Sequence, residues 1–351
     1  MDRRSTPRPI SRTTMRAEIL ETRDVPCAVA SGDLPLIQQP IERFAVAATS
    51  HGTAQVNVYD AKTNSLLGII NPSGMGNAGN MSVATGDVTG DGVEDIVVGS
   101  GKGSSPIVKI YDGKTLAEVG SFSPYSKSFH GGVTVAVGDV NGDGRKDIIT
   151  GTGAGSAAQV KVYSGAALIG ANGKMTATTP NPIRNFMAFD TSYRGGVSVA
   201  AGDIDGDGAA DIIAGKNSGD AMDVRAFSGK TGSTLADFSA FDITFKGGVT
   251  VAAGDTDGDG KAEIVVGANT APANNVKVFK GSVMVSQFSA NTGFGTRVAT
   301  TDIDGDGIVE LVAASGPSAP PKVNVLGASL GNIRRSFPAM PSSFNSGLSV
   351  G

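Results

Sequence analysis

A nine-residue aspartate-rich segment recurs five times in this chain, its first residue at positions 87, 139, 203, 255 and 302. The intervals are 52, 64, 52 and 47 residues. A repeat at that period constrains the fold more than any local preference, because one such unit cannot bury its apolar face alone and must stack on its neighbours. The copies run Asp87-Val-Thr-Gly-Asp-Gly-Val-Glu-Asp95, Asp139-Val-Asn-Gly-Asp-Gly-Arg-Lys-Asp147, Asp203-Ile-Asp-Gly-Asp-Gly-Ala-Ala-Asp211, Asp255-Thr-Asp-Gly-Asp-Gly-Lys-Ala-Glu263 and Asp302-Ile-Asp-Gly-Asp-Gly-Ile-Val-Glu310. They are called loops 1 to 5 below.

Each copy reads as a calcium site. A hard cation takes six to eight oxygens, and alternate positions of a tightly curved loop can aim them at one point. Positions 1, 3, 5 and 9 supply side-chain oxygen and position 7 a backbone carbonyl. The predicted ligands are therefore Asp87, Thr89, Asp91, Val93 and Asp95; Asp139, Asn141, Asp143, Arg145 and Asp147; Asp203, Asp205, Asp207, Ala209 and Asp211; Asp255, Asp257, Asp259, Lys261 and Glu263; and Asp302, Asp304, Asp306, Ile308 and Glu310. Position 6 is always glycine, where the chain must turn without a Cβ. Plain β-turns also favour Asp and Gly. However, these loops hold three, three, four, four and four ligand-position carboxylates, more than half of the chain's 33 acidic residues. Packing them so tightly costs self-repulsion unless a cation is present. Loops 1 and 2 are the weaker candidates, since Thr89 and Asn141 replace an aspartate and Arg145 and Lys146 bring positive charge.

Between the loops the chain alternates short apolar runs with glycine-rich turns. Val133-Thr-Val-Ala-Val137 precedes loop 2, Ile148-Ile-Thr150 follows it, Val160-Lys-Val-Tyr163 comes third, and a fourth run surrounds Phe186. Alternation, β-branched residues and glycine punctuation predict four strands per unit. Four-stranded units at a period near 50 predict a β-propeller. The fourth strand carries an aromatic followed seven residues later by another: Phe122 and Phe129, Phe186 and Tyr193, Phe238 and Phe245, Phe337 and Phe344, with Phe288 and Phe294 one residue shorter. These rings are expected to fill the gaps between adjacent sheets.

The ends predict how the ring closes. Phe44 to Ile70 supplies strands 2, 3 and 4 of a unit, and Phe344-Asn-Ser-Gly-Leu-Ser-Val-Gly351 matches the approach to a first strand. Shared between the two ends, that unit makes a sixth blade and hides edge strands that would otherwise aggregate. A six-bladed propeller over 41–351 is expected, with a seven-bladed ring as the alternative.

The unit resembles the FG-GAP repeat, also known in bacteria as a VCBS-type repeat, found in the propeller of integrin α subunits and in many bacterial surface proteins. The resemblance covers about 44–351. Phe294-Gly295 keeps the literal Phe-Gly, and Gly267-Ala-Asn-Thr-Ala-Pro272 echoes the Gly-Ala-Pro; elsewhere Phe-x-Gly-Gly replaces Phe-Gly, as in Phe245-Lys-Gly-Gly248. The resemblance implies calcium in the five loops and a binding module for protein or glycan, outside the cell or on its surface.

Residues 1–40 differ from the rest. Six arginines mix with Ser, Thr and Pro, and no apolar signal core is visible. A disordered or export-related leader is expected. Leu20-Glu-Thr-Arg-Asp-Val-Pro26 resembles a segment near the start of exported planctomycete proteins, which implies export. Cys27, the lone cysteine, can form no internal disulfide. No run is long and apolar enough to span a bilayer, and the scattered basic residues do not suit nucleic acid. Filling five sites would shift the formal charge from −4 to +6. A monomer is expected.

If the loops occupy one face, ligands are expected on the other. His130, Arg194 and Lys246 take equivalent inter-blade positions there, against Ala78, Gly295 and Asn345 in the remaining blades. That half-ring of positive charge suits an anionic glycan or acidic protein surface, although solvated turn residues would look the same. An insertion at about 166–182 shows no recognition cluster. Catalysis is not expected: the two histidines, His51 and His130, have no partner motif, and the carboxylates are committed to the loops. The alternatives are a calcium-dependent lectin or a lyase-like polysaccharide enzyme on the same scaffold.

Overall fold

The computed structural model describes residues 42–50, 52–75, 81–219, 222–270, 275–328, 331–344 and 346–351. The predicted leader, Cys27, His51, Ala78 and Asn345 lie outside the described residues. Strands follow one another as β1 (Arg43–Ser50), β2 (Thr53–Asp60) and β3 (Leu66–Ile70), then β4 (Ser82–Gly86), β5 (Asp95–Gly99), β6 (Val108–Tyr111) and β7 (Glu118–Phe122). The next unit has β8 (Val133–Gly138), β9 (Asp147–Thr152), β10 (Gln159–Tyr163) and β11 (Arg184–Met187). After it come β12 (Val197–Gly202), β13 (Asp211–Lys216), β14 (Asp223–Phe227) and β15 (Thr234–Ser239). Two more units hold β16 (Val249–Gly254), β17 (Glu263–Ala268), β18 (Asn275–Lys280) and β19 (Val283–Ser289), then β20 (Thr296–Thr301), β21 (Glu310–Ser315), β22 (Lys322–Leu326) and β23 (Ile333–Pro338). The last strand is β24 (Ser349–Val350).

These strands form six four-stranded antiparallel sheets, the blades of a six-bladed β-propeller. Five blades are consecutive in sequence. The sixth has the order β24-β1-β2-β3, with Val46 opposite Val350 and Ala47 opposite Ser349. The ring closes as the sequence predicts, with six blades rather than seven.

Second strands such as β5, β9 and β17 are buried along their whole length, because a neighbouring blade covers each of their faces. They therefore read as unbroken apolar runs, while fourth strands such as β19 and β23 face water. The aromatics of the fourth strands meet the end of the third strand in the next blade. Phe122 packs on Tyr163 at 4.8 Å between ring centroids, Phe186 on Phe227 at 4.9 Å, Phe238 on Phe279 at 4.5 Å and Phe337 on Tyr59 at 5.4 Å. Ile70 with Tyr111 and Phe288 with Leu326 fill the same place in the other two gaps.

The second aromatic of each pair has its own partner, four residues upstream. Tyr125 meets Phe129, Phe189 meets Tyr193 and Phe241 meets Phe245 at 5.2–6.0 Å. Phe294 departs from the expected core role and is 57% exposed. Asn291, with φ of 52°, stands where the other blades offer Tyr125, Phe189 and Phe241, so Phe294 has no ring to pack on.

The insertion clasps a neighbour. It opens with a short helix, α1 (Gly165–Leu168), capped by Ser164, and buries Leu168 and Ile169. Met175 then lies against Gly120 of β7, where a Cβ would come within 2.6 Å of the Met175 side chain. Lys174 Nζ donates to the Glu118 carbonyl at 3.1 Å. The segment thus covers an outer strand of the preceding blade.

Candidate metal centres

All five loops connect the first strand of a blade to its second, so the propeller sets them side by side at one end of the ring. Their backbone follows one pattern. The first aspartate folds its carboxylate back onto the loop: Asp203 accepts from the amides of Gly206 at 2.7 Å, Asp207 at 3.1 Å and Gly208 at 2.8 Å. Asp87, Asp139, Asp255 and Asp302 likewise accept from the amides at positions 4 and 6. Position 6 has φ between 82° and 86° in every copy, a conformation that favours glycine.

In three loops the glycine at position 4 also lies close to the following loop. A Cβ on Gly206 would come within 2.9 Å of Lys261 Cε, one on Gly90 within 3.2 Å of Arg145 Cζ, and one on Gly258 within 3.2 Å of Ile308 Cδ1. Two position-7 side chains, Arg145 and Lys261, serve the preceding loop. Arg145 Nη2 donates to the carbonyls of Val88 at 2.7 Å and Thr89 at 2.6 Å. Lys261 Nζ donates to the Asp205 carbonyl at 2.8 Å. The charge of Arg145 belongs to loop 1, not to loop 2 as its sequence position suggests.

The carboxylate at position 9 is buried at the head of the second strand. Asp95, Asp147 and Asp211 each accept from the position-2 amide and from a turn glycine 18 residues on, namely Gly113, Gly165 and Gly229. Burial pushes Asp95 and Asp147 up to about 6, and raises Asp211 and Glu310 as well. A carboxylate withdrawn from water resists ionising, and a dication beside it offsets that cost.

The side chains converge in three loops. Ligand oxygens of Asp203, Asp205 and Asp211 lie within 4.8 Å of one another, as do those of Asp255, Asp257 and Asp259 and those of Asp302, Asp304 and Asp306. These are the loops with four carboxylates. Asp87, Asp91 and Asp95 form no such group, nor do Asp139, Asp143 and Asp147. In loop 2 the Asn141 amide instead donates to Asp143 at 2.9 Å.

Side-chain cations lie against four loops. Lys114 Nζ is 3.0 Å from Asp91, Lys230 Nζ 3.4 Å from Asp207, Lys280 Nζ 2.9 Å from Asp257, and Arg334 Nη1 2.9 Å from Asp304. Asp207 turns to Lys230 rather than joining the loop 3 cluster. In loop 4, Glu263 Oε1 is buried without a hydrogen-bond partner, 3.7 Å from Lys280 Nζ. An oxygen-only donor set and three converging carboxylates fit a hard divalent cation in loops 3 to 5, and loop 4 adds that unused buried oxygen.

The innermost strands enclose a channel on the propeller axis. Val83, Val135, Val199, Val251, Val298 and Val350, one from each blade, form a ring that divides it into two cavities of about 340 Å3 each. The loop-side cavity carries Glu42, Arg43, Glu94, Lys146 and Asp302. Glu94 accepts the Arg43 amide at 2.7 Å and Glu42 the Asp302 amide at 3.0 Å, which ties the closing blade to its two neighbours. On the other face His130, Arg194 and Lys246 are exposed, as expected. Among the described residues no helix is long and apolar enough to cross a membrane.

Several known proteins are similar to this chain. Integrin alpha-V of Gallus gallus is 38% identical over 72 residues, which cover 20% of this chain and 7% of that protein. The match therefore spans a small part of the integrin's length. A protein of unknown function from Bacteroides caccae shares the overall fold at 10% identity and a TM-score of 0.53, over 88% of this chain and 98% of that one. A rhamnogalacturonan lyase from Bacillus licheniformis aligns at 15% identity and a TM-score of 0.42, over 84% of this chain and 64% of that one. Residues 87–150 and 203–266, which hold loops 1 to 4, match the family profile described as FG-GAP-like repeat. These two stretches are thus similar to FG-GAP-like repeats, and they lie within a six-bladed β-propeller.

Proposed function

We propose that this protein is a calcium-binding recognition module that works outside the cytoplasm or on a cell surface. It holds a protein or glycan ligand on the face opposite its loops, as a monomer and without catalysis of its own. The observation that carries the reading is the convergence of three carboxylates in each of loops 3, 4 and 5. Calcium supplies charge neutralisation and a cross-link between the first two strands of a blade. Asp203, Asp205 and Asp211 would hold it in loop 3, Asp255, Asp257 and Asp259 in loop 4, and Asp302, Asp304 and Asp306 in loop 5. Loops 1 and 2 take it more weakly.

Exposed sites of this kind fill at extracellular calcium concentrations and stay largely empty in the cytosol, which supports the setting. At 100 times its dissociation constant, each bound ion adds about 2.7 kcal/mol to stability.

Thermal unfolding of the full chain in EDTA and across a calcium titration tests the reading, with stoichiometry from calorimetry. A rising midpoint and three tight sites, with two weaker ones behind them, are expected. An unchanged midpoint would remove the metal and with it the argument for location.

A further inference from the structure

The channel mouth on the face away from the loops has a chemistry that the calcium reading does not use. At one register of the innermost strands stand Ser82, Thr134, Ser198, Thr250, Arg297 and Ser349, all lining the same cavity. Four of these side chains stitch adjacent blades together. Ser82 Oγ accepts the Val135 amide at 3.0 Å and Ser198 Oγ the Val251 amide at 3.2 Å. Thr134 and Thr250 donate to the carbonyls of Val197 at 2.7 Å and Thr296 at 3.1 Å.

Arg297 breaks the pattern. A guanidinium replaces a hydroxyl, and Nη1 donates to the Asn269 carbonyl at 3.0 Å. Among the described residues no carboxylate lines this cavity, and Arg297 makes no ion pair. Burial pushes the guanidinium down to about 10, so it remains charged at neutral pH, with no carboxylate beside it among the described residues. Lys102 adds a second cation at the rim, and the buried Oδ1 of Asn269 has no hydrogen-bond partner. The opposite cavity, across the valine ring, does hold carboxylates.

We propose that this mouth binds a hydroxylated carboxylate of monosaccharide size, a sugar acid, with its carboxylate on Arg297. The planar fork of a guanidinium matches a carboxylate with two parallel hydrogen bonds. Ser82 and Ser198 accept through Oγ and keep their O–H hydrogens to donate inward, and the valine ring offers an apolar floor to a sugar's C–H face. A volume of about 340 Å3 lies within the range of small-ligand pockets.

Calorimetric titration of the full chain with D-glucuronate, D-glucose and sulfate tests this, in EDTA and again in calcium. Glucuronate is expected to bind in both buffers, glucose at least tenfold more weakly, and Arg297→Met to weaken glucuronate at least tenfold while its melting temperature shows it folded. Lys102→Gln, a change at an exposed position, is expected to weaken it severalfold and serves if Arg297→Met does not fold. Equal affinity for sulfate overturns the carboxylate assignment, and equal affinity for glucose overturns the role of charge. Absence of glucuronate binding, or affinity unchanged in the variants, overturns the site. Binding seen only with calcium, while the melting curve shows the chain folded in EDTA, also overturns it and places the ligand at the loops. Failure of the calcium loops themselves leaves the EDTA arm intact.

Discussion

The amide of Ala262, eighth residue of loop 4, donates to the carbonyl of Asp203, first residue of loop 3, at 2.7 Å. Ala210 makes the same bond to Asp139 at 2.7 Å and Val309 to Asp255 at 2.9 Å, so loops 2 to 5 are joined in series. Each bond holds in place the backbone of an aspartate predicted to bind metal. Ordering one loop therefore prepares its neighbour. Asp257→Asn combined with Asp259→Asn is expected to abolish the site in loop 4 and to weaken loop 3 by about fivefold, at the low end of coupling between sites. Calorimetric titration of the double variant checks this, and unaltered affinity at loop 3 would show the loops to be independent.

Lys280 holds a place that a dication would contest. Its ammonium reaches Asp257, Asp259 and Glu263, and hydrogen bonds to Asp259 and Asp257 raise its pKa. Lys280→Met should change stability with opposite sign in two buffers. In EDTA the melting temperature falls, because three carboxylates lose their counter-charge; with calcium present, loop 4 binds several times more tightly. A fall in both buffers would mean that Lys280 supports the occupied site as well.

The aromatic seams carry the contact between blades. Phe122 is buried against Tyr163, and Phe122→Ala is expected to cost about 3–5 kcal/mol in denaturant unfolding. Phe294 is mostly exposed, and Phe294→Ala is expected to stay within about 0.5 kcal/mol. Equal losses would show that Phe294 packs in solution where the structure leaves it open.

Asp60 gives a pH signature free of the metal loops. Its carboxylate accepts from Thr63 Oγ1 and the Thr63 amide, and those bonds hold its pKa below the usual carboxylate value. A depressed pKa contributes stability that is present above the unfolded value and is lost as pH falls through the folded one. Asp60→Ala should therefore lower the melting temperature at neutral pH, by an amount that shrinks as pH falls through the lowered folded value. A constant gap across that range would mean that the charge plays no part.

Much of the architecture was legible because it repeats. The loops, the four strands per unit and the shared blade follow from period and alternation. The partner of the fourth-strand aromatics could have been found the same way: Tyr111, Tyr163, Phe227, Phe279 and Leu326 each lie 16 residues after position 9 of their loop. Other features had no periodic signal. Lys114 and Lys230 share a register, but Lys280 and Arg334 reach their loops from other positions. Arg145 looks local and acts across a blade boundary. Arg297 sits in an ordinary strand, and only the sixfold register of the channel shows that it occupies a hydroxyl's place.

The two residues of β24 pair with β1 across some 300 positions of sequence. Every other blade is made from one continuous stretch and can form as soon as that stretch is available. The closing blade waits for residues 349 and 350 to emerge from the ribosome. Until then β1 to β3 form a three-stranded sheet with an open inner edge, able to accept a strand from any chain nearby. The fidelity of this ring is decided when that two-residue strand reaches β1 before a neighbour's strand does.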